Sequence, residues 1–172
     1  MNPIEKTLYF AYGSNMNLPQ MHFRCADATR VGRVKLDGYR LEFCGNGHTG
    51  VATVIPHPES CVEGVLWEIS ALDERRLDIY EGYPWLYGKE TVEVCRPNGA
   101  SVRVMAYTMN APFKENPAPP SKAYFQCLLD GCAQNDISDR PIREAAARAG
   151  WYEQTVETER ARKPRHSGYD ER

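Results

Sequence analysis

Tyr9-Phe10-Ala11-Tyr12-Gly13-Ser14-Asn15-Met16 carries the chain out of a strand and into a helix within one short corner. Leu8 to Ala11 is a short apolar run of strand-forming residues. Gly13-Ser14-Asn15 stops it, and Asn17-Leu18-Pro19 reads as a helix start with proline inside the first turn. Such a corner leaves several backbone N–H groups without partners in the chain. Gly13 lets a ligand approach the backbone, and free N–H groups favour an anion there. Three readings compete: a sharp turn that caps a helix and binds nothing, a phosphate loop, or a carboxylate cradle beside a catalytic group. The phosphate loop is the weakest, since the corner has neither a Gly-x-Gly-x-x-Gly pattern nor a Gly-Lys-Ser/Thr ending. The rest of the chain favours the cradle.

Outward from this corner the chain reads as a run of short strands. Thr29 to Leu36 and Tyr39 to Cys44 are expected as two strands joined by a hairpin at Asp37-Gly38. Val51 to Ile55 is bounded by Gly50 and Pro56, and Val62 to Ile69 alternates, with Val65, Trp67 and Ile69 on one face. Thr91 to Cys95 and Val102 to Tyr107 flank a turn at Pro97-Asn98-Gly99.

Helices are fewer. Ser70 with Asp73 forms a capping box for a helix from Ala71 to about Tyr80. Ser121 caps a second helix running to about Gln134, with Tyr124, Leu128 and Cys132 as its buried stripe. Asp139-Arg140-Pro141 starts a third, through Ala149. The expected fold class is α+β, with a mixed, largely antiparallel sheet closed into a small barrel and flanked by helices. One domain over residues 1–150 and a charged, frayed tail over 151–172 are expected.

A chain of 172 residues, 42% hydrophobic and 26% charged, is long enough to bury a core without staples. Its net charge of -2 gives no electrostatic footprint for nucleic acid or an anionic membrane. No apolar run is long enough to span a bilayer, and the N-terminal residues lack a signal-peptide layout, so a cytoplasmic setting is expected. Cys25, Cys44, Cys61, Cys95, Cys127 and Cys132 are scattered without a Cys-x-x-Cys pair and read as core fillers rather than a disulfide framework. Cys44 and His48 flank Gly45-Asn46-Gly47, but the sequence offers no second pair of soft ligands, and no metal is expected.

The second informative stretch is Leu77-Asp78-Ile79-Tyr80-Glu81-Gly82-Tyr83-Pro84-Trp85-Leu86-Tyr87. Glu81 falls at the helix end, with Gly82 as its stop. A carboxylate held among Tyr80, Tyr83, Trp85 and Tyr87 would lose hydration, and its pKa would rise toward a range useful for proton transfer. The alternative is a solvated glutamate on a helix end, with those aromatics serving as core.

These segments together resemble the γ-glutamylcyclotransferase superfamily, which includes the AIG2-like proteins. Tyr9 to Asn15 resembles its hallmark loop. His48 to Val54 and Val62 to Trp67 resemble two of its strands, and Leu77 to Gly82 resembles the segment with its catalytic glutamate. Pro119-Pro120-Ser121, Tyr124 and the helix through Gly131 resemble its closing element, so the match runs in order from about Leu8 to about Ile137. The resemblance implies cleavage of a γ-glutamyl amide to 5-oxoproline and a free amine, with Glu81 as general acid/base. It implies substrate contacts from Tyr9, Phe10, Ala11, Tyr12, Gly13, Ser14 and Asn15, and from Tyr87 and Tyr124. It implies no cofactor, a small-molecule partner, and a monomer or homodimer. Gly82 to Trp85 looks AIG2-like and leaves the leaving group open; its pocket wall is expected from Tyr83, Trp85 and the Lys114 to Ser121 loop. Two rivals stand beside this: a non-catalytic binding module on the same scaffold, and a nucleotide-binding loop. The latter is disfavoured because Arg24 is the nearest basic residue after Asn15.

Overall fold

The computed structural model describes residues 5–45 and 47–151. Five strands close into a barrel in the order β1-β3-β2-β4-β5, which is the expected fold class. β1 (Lys6–Ala11) leads through a 3₁₀ turn (Ser14–Met16) into α1 (Leu18–Arg24). β2 (Thr29–Cys44) and β3 (Val51–Ser70) follow, then α2 (Ala71–Glu81), β4 (Tyr87–Cys95), β5 (Ser101–Met109), α3 (Lys122–Gln134) and α4 (Arg140–Arg148). β1 lies antiparallel to β3 on one side and touches β5 in parallel on the other, where Tyr9 pairs with Met105.

The expected hairpin at Asp37-Gly38 is absent, and the separate strand runs on either side of it, like those on either side of Pro56, merge into two long strands. Thr29 to Cys44 is a single strand, and so is Val51 to Ser70. Asp37 pairs with Cys61 while Tyr39 pairs with Pro56, so Gly38 faces an excursion of 57–60 on the partner strand. Gly38 takes a positive φ of 80° there, and the Ser60 hydroxyl sits 2.7 Å from His57 Nδ1 across the excursion. Asp37-Gly38 is therefore a bulge that bends a continuous ladder, as a small barrel requires, rather than a hairpin. The ladder between β2 and β3 runs on to the pair Cys44 and Val51. The other turn stands where expected: Arg96 donates to Ala100 O at 2.8 Å, and Gly99 has φ +85°.

The helix signals hold at both predicted caps. Ser70 Oγ accepts from Asp73 N–H while the Asp73 carboxylate accepts from Ser70 N–H, a complete capping box. Ser121 Oγ accepts from Tyr124 N–H at the start of α3. At α4 the Asp139 side chain caps no N–H but pairs with Arg143 at 3.0 Å. Phe10, Val65, Leu66, Ile69, Val94 and Ala106 are fully buried and belong to one continuous core, with Phe10 and Leu66 paired across β1 and β3. Both faces of the alternating run from Val62 to Ile69 are buried, Val65, Trp67 and Ile69 on one and Gly64 and Leu66 on the other.

α3 lies against the corner after β1 and fixes its shape. Its Gly131 is so close that a Cβ there would sit 3.0 Å from Asn17 N and 3.1 Å from Met16 Cβ. Asn17 Nδ2 donates to Cys127 O, and Asn135 Nδ2 donates to Met16 O. Trp151 stacks on Phe125 with ring centroids 4.2 Å apart. The remainder of the expected tail, 152–172, lies outside the described residues, as does Asn46 of the Cys44–His48 stretch. Cys44 is buried and His48 exposed, and no cluster able to hold a metal occurs among the described residues. Cys25, Cys44 and Cys132 fill the core, whereas Cys61 is exposed on the bend. No described helix is long and apolar enough to cross a membrane.

Candidate active site

At one end of the barrel a cavity of about 170 Å³ opens between β1, β3, β4, α2 and α3. β1 runs out into it with Tyr9, Tyr12, Gly13, Ser14 and Asn15 on its wall. The 3₁₀ turn uses its N–H groups from Met16 onward, with Met16 donating to Gly13 O and Asn17 to Ser14 O. Among the described residues, the N–H groups of Gly13, Ser14 and Asn15 have no acceptor. Gly13 is pressed against α3: a Cβ on it would lie 3.3 Å from the Tyr124 hydroxyl. The constraint on Gly13 is this close approach rather than its backbone dihedrals, since its φ is -114°.

Glu81 is the last residue of α2, which ends as Gly82 turns left-handed at φ 65°. That abrupt stop leaves the half-buried Glu81 side chain facing the cavity, where its Oε1 accepts from Asn15 Nδ2 at 3.3 Å. Burial pushes its carboxyl up to about 7, opposed by the Arg24 guanidinium. It shares the cavity with the rings of Tyr9, Tyr12, Tyr80, Tyr87, Tyr107 and Tyr124. Burial holds the hydroxyls of Tyr9, Tyr12, Tyr87 and Tyr124 well above the usual phenol range, so all four are neutral at pH 7.

The tyrosine hydroxyls divide by what their protons do. Tyr12 donates to Tyr107 O at 2.5 Å, and Tyr87 donates to Ala52 O at 2.6 Å. Tyr107 points its hydroxyl away, donating to Asp78 at 2.6 Å, and lends the cavity only its ring. Tyr124 instead accepts from Ala52 N–H at 3.0 Å, and Tyr9 accepts from Asn15 Nδ2 at 3.0 Å. Among the described residues their own protons have no acceptor, so these two can donate to a ligand.

The structure thus gathers Tyr9, Tyr12, Gly13, Ser14, Asn15, Glu81, Tyr87 and Tyr124 on one wall system. Phe10 and Ala11 are not part of it. Phe10 alternates inward on β1 and packs over Gly64, where an added Cβ would meet its ring at 2.4 Å. Ala11 is buried in the ladder opposite Val65. The expected wall of Tyr83 and Trp85 is also displaced. The N–H groups of both Trp85 and Leu86 donate to Gly82 O at 2.8 Å, and this turn sends Leu86 inward and Trp85 outward. Trp85, 76% exposed, packs edge-on against Phe113, and Tyr83 lies under the Lys89 ammonium. The 114–121 loop is pinned beside the start of β3 by Gly50 N–H on Pro119 O, and the cavity wall there is Val51 and Ala52.

Arg24 was visible in sequence only as a basic residue too far along for a phosphate loop. In the fold its guanidinium lies 3.4 Å over the Tyr80 ring and donates to Ser14 Oγ and Asn15 Oδ1. A basic residue in the last turn of the helix that follows the Ser14-Asn15 corner was the available signal.

A carboxyl raised toward neutrality by burial, beside open N–H donors and a set of tyrosines, is suited to acid/base chemistry on a small polar molecule. Comparison with known sequences and structures places the chain in a lineage. Residues 9–126 match the gamma-glutamyl cyclotransferase, AIG2-like family, and the chain belongs to that family. Human gamma-glutamylcyclotransferase is 30% identical over 142 residues, covering 77% of this chain and 73% of the human protein. A solved gamma-glutamyl cyclotransferase superposes with a TM-score of 0.74 at 28% identity, covering 83% of this chain and 88% of that one. An uncharacterized human protein solved by crystallography gives 0.73 at 30% identity, with the same coverage.

Proposed function

We propose that this protein cleaves a γ-glutamyl amide, of an amino acid or an amine, to 5-oxoproline and the free amine. The observation that carries the reading is the Glu81 carboxyl, held in the cavity by Asn15 and raised by burial to about 7. The ionised Glu81 takes a proton from the α-ammonium of the substrate. The freed nitrogen attacks the γ-carbonyl carbon of the same molecule and closes a five-membered ring. The carbonyl electrons move onto oxygen, and the tetrahedral intermediate forms. Protonated Glu81 then delivers its proton to the amine nitrogen as the carbon–nitrogen bond breaks and the carbonyl re-forms. The second proton of the ring nitrogen is released to give the neutral lactam and ends on the freed amine as its ammonium.

The nucleophile arrives tethered, and holding it folded is worth up to roughly 7–11 kcal/mol in favourable intramolecular cases. One acid/base near neutral pKa adds on the order of 10²–10⁴-fold. The N–H groups of Gly13, Ser14 and Asn15 supply donors for the α-carboxylate or the developing oxyanion. Tyr124 and Tyr9, with hydroxyl protons to offer, complete the polar end. The amine side of the substrate runs past Leu86 and Val51. A cytoplasmic setting belongs to the same reading.

The test is a panel of γ-glutamyl amides incubated with the purified protein and assayed for 5-oxoproline. Release from at least one substrate, lost in Glu81→Gln, supports the reading. Free glutamate in place of 5-oxoproline would make water the nucleophile, and no product from any of them would favour a binding module.

A further inference from the structure

Asn15 stands between two charged groups. Its Oδ1 accepts from Arg24 Nη1 at 2.5 Å, and its Nδ2 donates to Glu81 Oε1 at 3.3 Å and Tyr9 OH at 3.0 Å. A guanidinium has donors only, so the amide atom facing Arg24 must be the oxygen. That choice fixes the other end: the NH₂ group has to face Glu81. The backbone carbonyl of Asn15 is held separately by the Trp67 indole at 3.0 Å, so the side chain is the part left to be oriented. Arg24 is itself held by the Ser14 hydroxyl at 3.0 Å and by the Tyr80 ring.

We propose that Arg24 is a positioning residue for Glu81, acting through the Asn15 amide. With Arg24 in place the amide offers a donor to the carboxylate and holds it toward the cavity. Without it the amide is free to turn by half a revolution, and Oδ1 then faces the carboxylate and repels its ionised form. The groups facing Glu81 are the neutral hydroxyls of Tyr9 and Tyr12 from β1 and its exit, Tyr87 from β4 and Tyr124 from α3, with Tyr80 and Tyr107 also on the cavity wall. Arg24 is the cation that opposes the burial of Glu81, so its loss and the amide reversal act in one direction.

The kinetic arm of the test rests on the cyclotransferase reading; the spectroscopic arm does not. Arg24→Met and Arg24→Lys are compared with the unaltered protein. Arg24→Met is expected to lower kcat by up to about 10²-fold, with KM changed less, because the base is misplaced rather than the substrate unbound. The acid limb of its kcat/KM profile moves to higher pH by up to about one unit. Arg24→Lys keeps the charge and loses the planar fork, so it restores the acid limb and only part of kcat. In parallel, the Glu81 carboxyl carbon is titrated by ¹³C NMR with labelled glutamate, and its midpoint should rise in Arg24→Met. A role confined to folding would lower thermal stability and the active fraction while leaving midpoint and pH profile unchanged, and that result overturns the proposal. If Arg24→Met does not fold, Arg24→Gln is read in its place, with Arg24→Lys kept as the charge-retaining control. Failure of the unaltered protein to form 5-oxoproline would sink the functional reading, and the NMR midpoint would still decide Arg24.

Discussion

The hydroxyls of Tyr87 and Tyr124 meet on one residue: Tyr87 donates to the Ala52 carbonyl at 2.6 Å, and Tyr124 accepts from the Ala52 N–H at 3.0 Å. One peptide segment at the start of β3 is thereby tied to β4 and to α3, and the tie crosses the cavity wall. Tyr124→Phe leaves the Ala52 N–H without an acceptor at a cost of about 1–3 kcal/mol, and Tyr87→Phe does the same to the carbonyl. The two variants should separate in kinetics. Tyr87 has its proton committed to Ala52, so Tyr87→Phe lowers the urea midpoint with little change in KM. Tyr124→Phe loses a proton that a ligand can use, and its KM should rise as well. Equal KM values in the two variants would argue against a substrate role for Tyr124.

Glu81→Gln removes the group assigned to proton transfer and keeps its size. Turnover should fall by at least about 10²-fold with the circular dichroism spectrum unchanged. A variant with most of its activity left would remove Glu81 from the mechanism.

The same residue sets a pH dependence with opposite consequences for activity and stability. The base must be ionised, so kcat/KM should rise with pH through a limb near 7, the carboxyl's raised value. The folded protein holds this proton more tightly than the unfolded chain does. Its stabilising contribution is therefore full below the ordinary carboxyl range near 4.5 and is lost as pH climbs toward 7. Glu81→Gln escapes that loss, so its melting temperature should gain on the unaltered protein between pH 5 and pH 8. Parallel melting curves across that range would contradict the raised carboxyl.

Gly13 and Gly64 give a paired prediction. A Cβ on Gly13 would crowd the Tyr124 hydroxyl at 3.3 Å and Ala52 Cβ at 3.5 Å, contacts that a small shift of side chains relieves. Gly13→Ala should therefore cost stability by less than about 1 kcal/mol and weaken substrate binding. A Cβ on Gly64 would lie 2.3 Å from Ala11 O and 2.4 Å from the Phe10 ring, so β1 and β3 would have to part. Gly64→Ala should lose about 3 kcal/mol or fail to fold. Chemical denaturation with binding measured alongside distinguishes them.

5-Oxoproline keeps the carboxylate that the Gly13–Asn15 N–H groups are placed to receive. It should act as a competitive product inhibitor, weakened in Gly13→Ala. Calorimetry that detects no binding to the unaltered protein would count against the carboxylate cradle.

Local chemistry was legible in the sequence where it settles local structure. The capping box at Ser70 and Asp73, the Ser121 cap and the Pro97-Asn98-Gly99 turn each rest on neighbours within a few residues. Asp37-Gly38 misled because the same residues serve a hairpin and a bulge, and only closure of the barrel selects the bulge. Proximity in sequence found Tyr80 and Tyr87 beside Glu81 but misplaced Tyr83 and Trp85: the turn on Gly82 O sends Trp85 out, while Tyr9, Tyr12 and Tyr124 arrive from distant elements. Arg24 escaped notice because its role exists only through the Asn15 amide in three dimensions.

The closure of β1 between β3 and β5, described above as a pairing of Tyr9 with Met105, sets a timetable for synthesis. Of the described strands β1 is made first and its parallel neighbour β5 last, so that edge of β1 stays open until β5 emerges. Tyr124 leaves the exit tunnel later still. A nascent chain thus carries its signature loop long before it has a pocket. It depends on holding β1 apart from other strands until the barrel can shut.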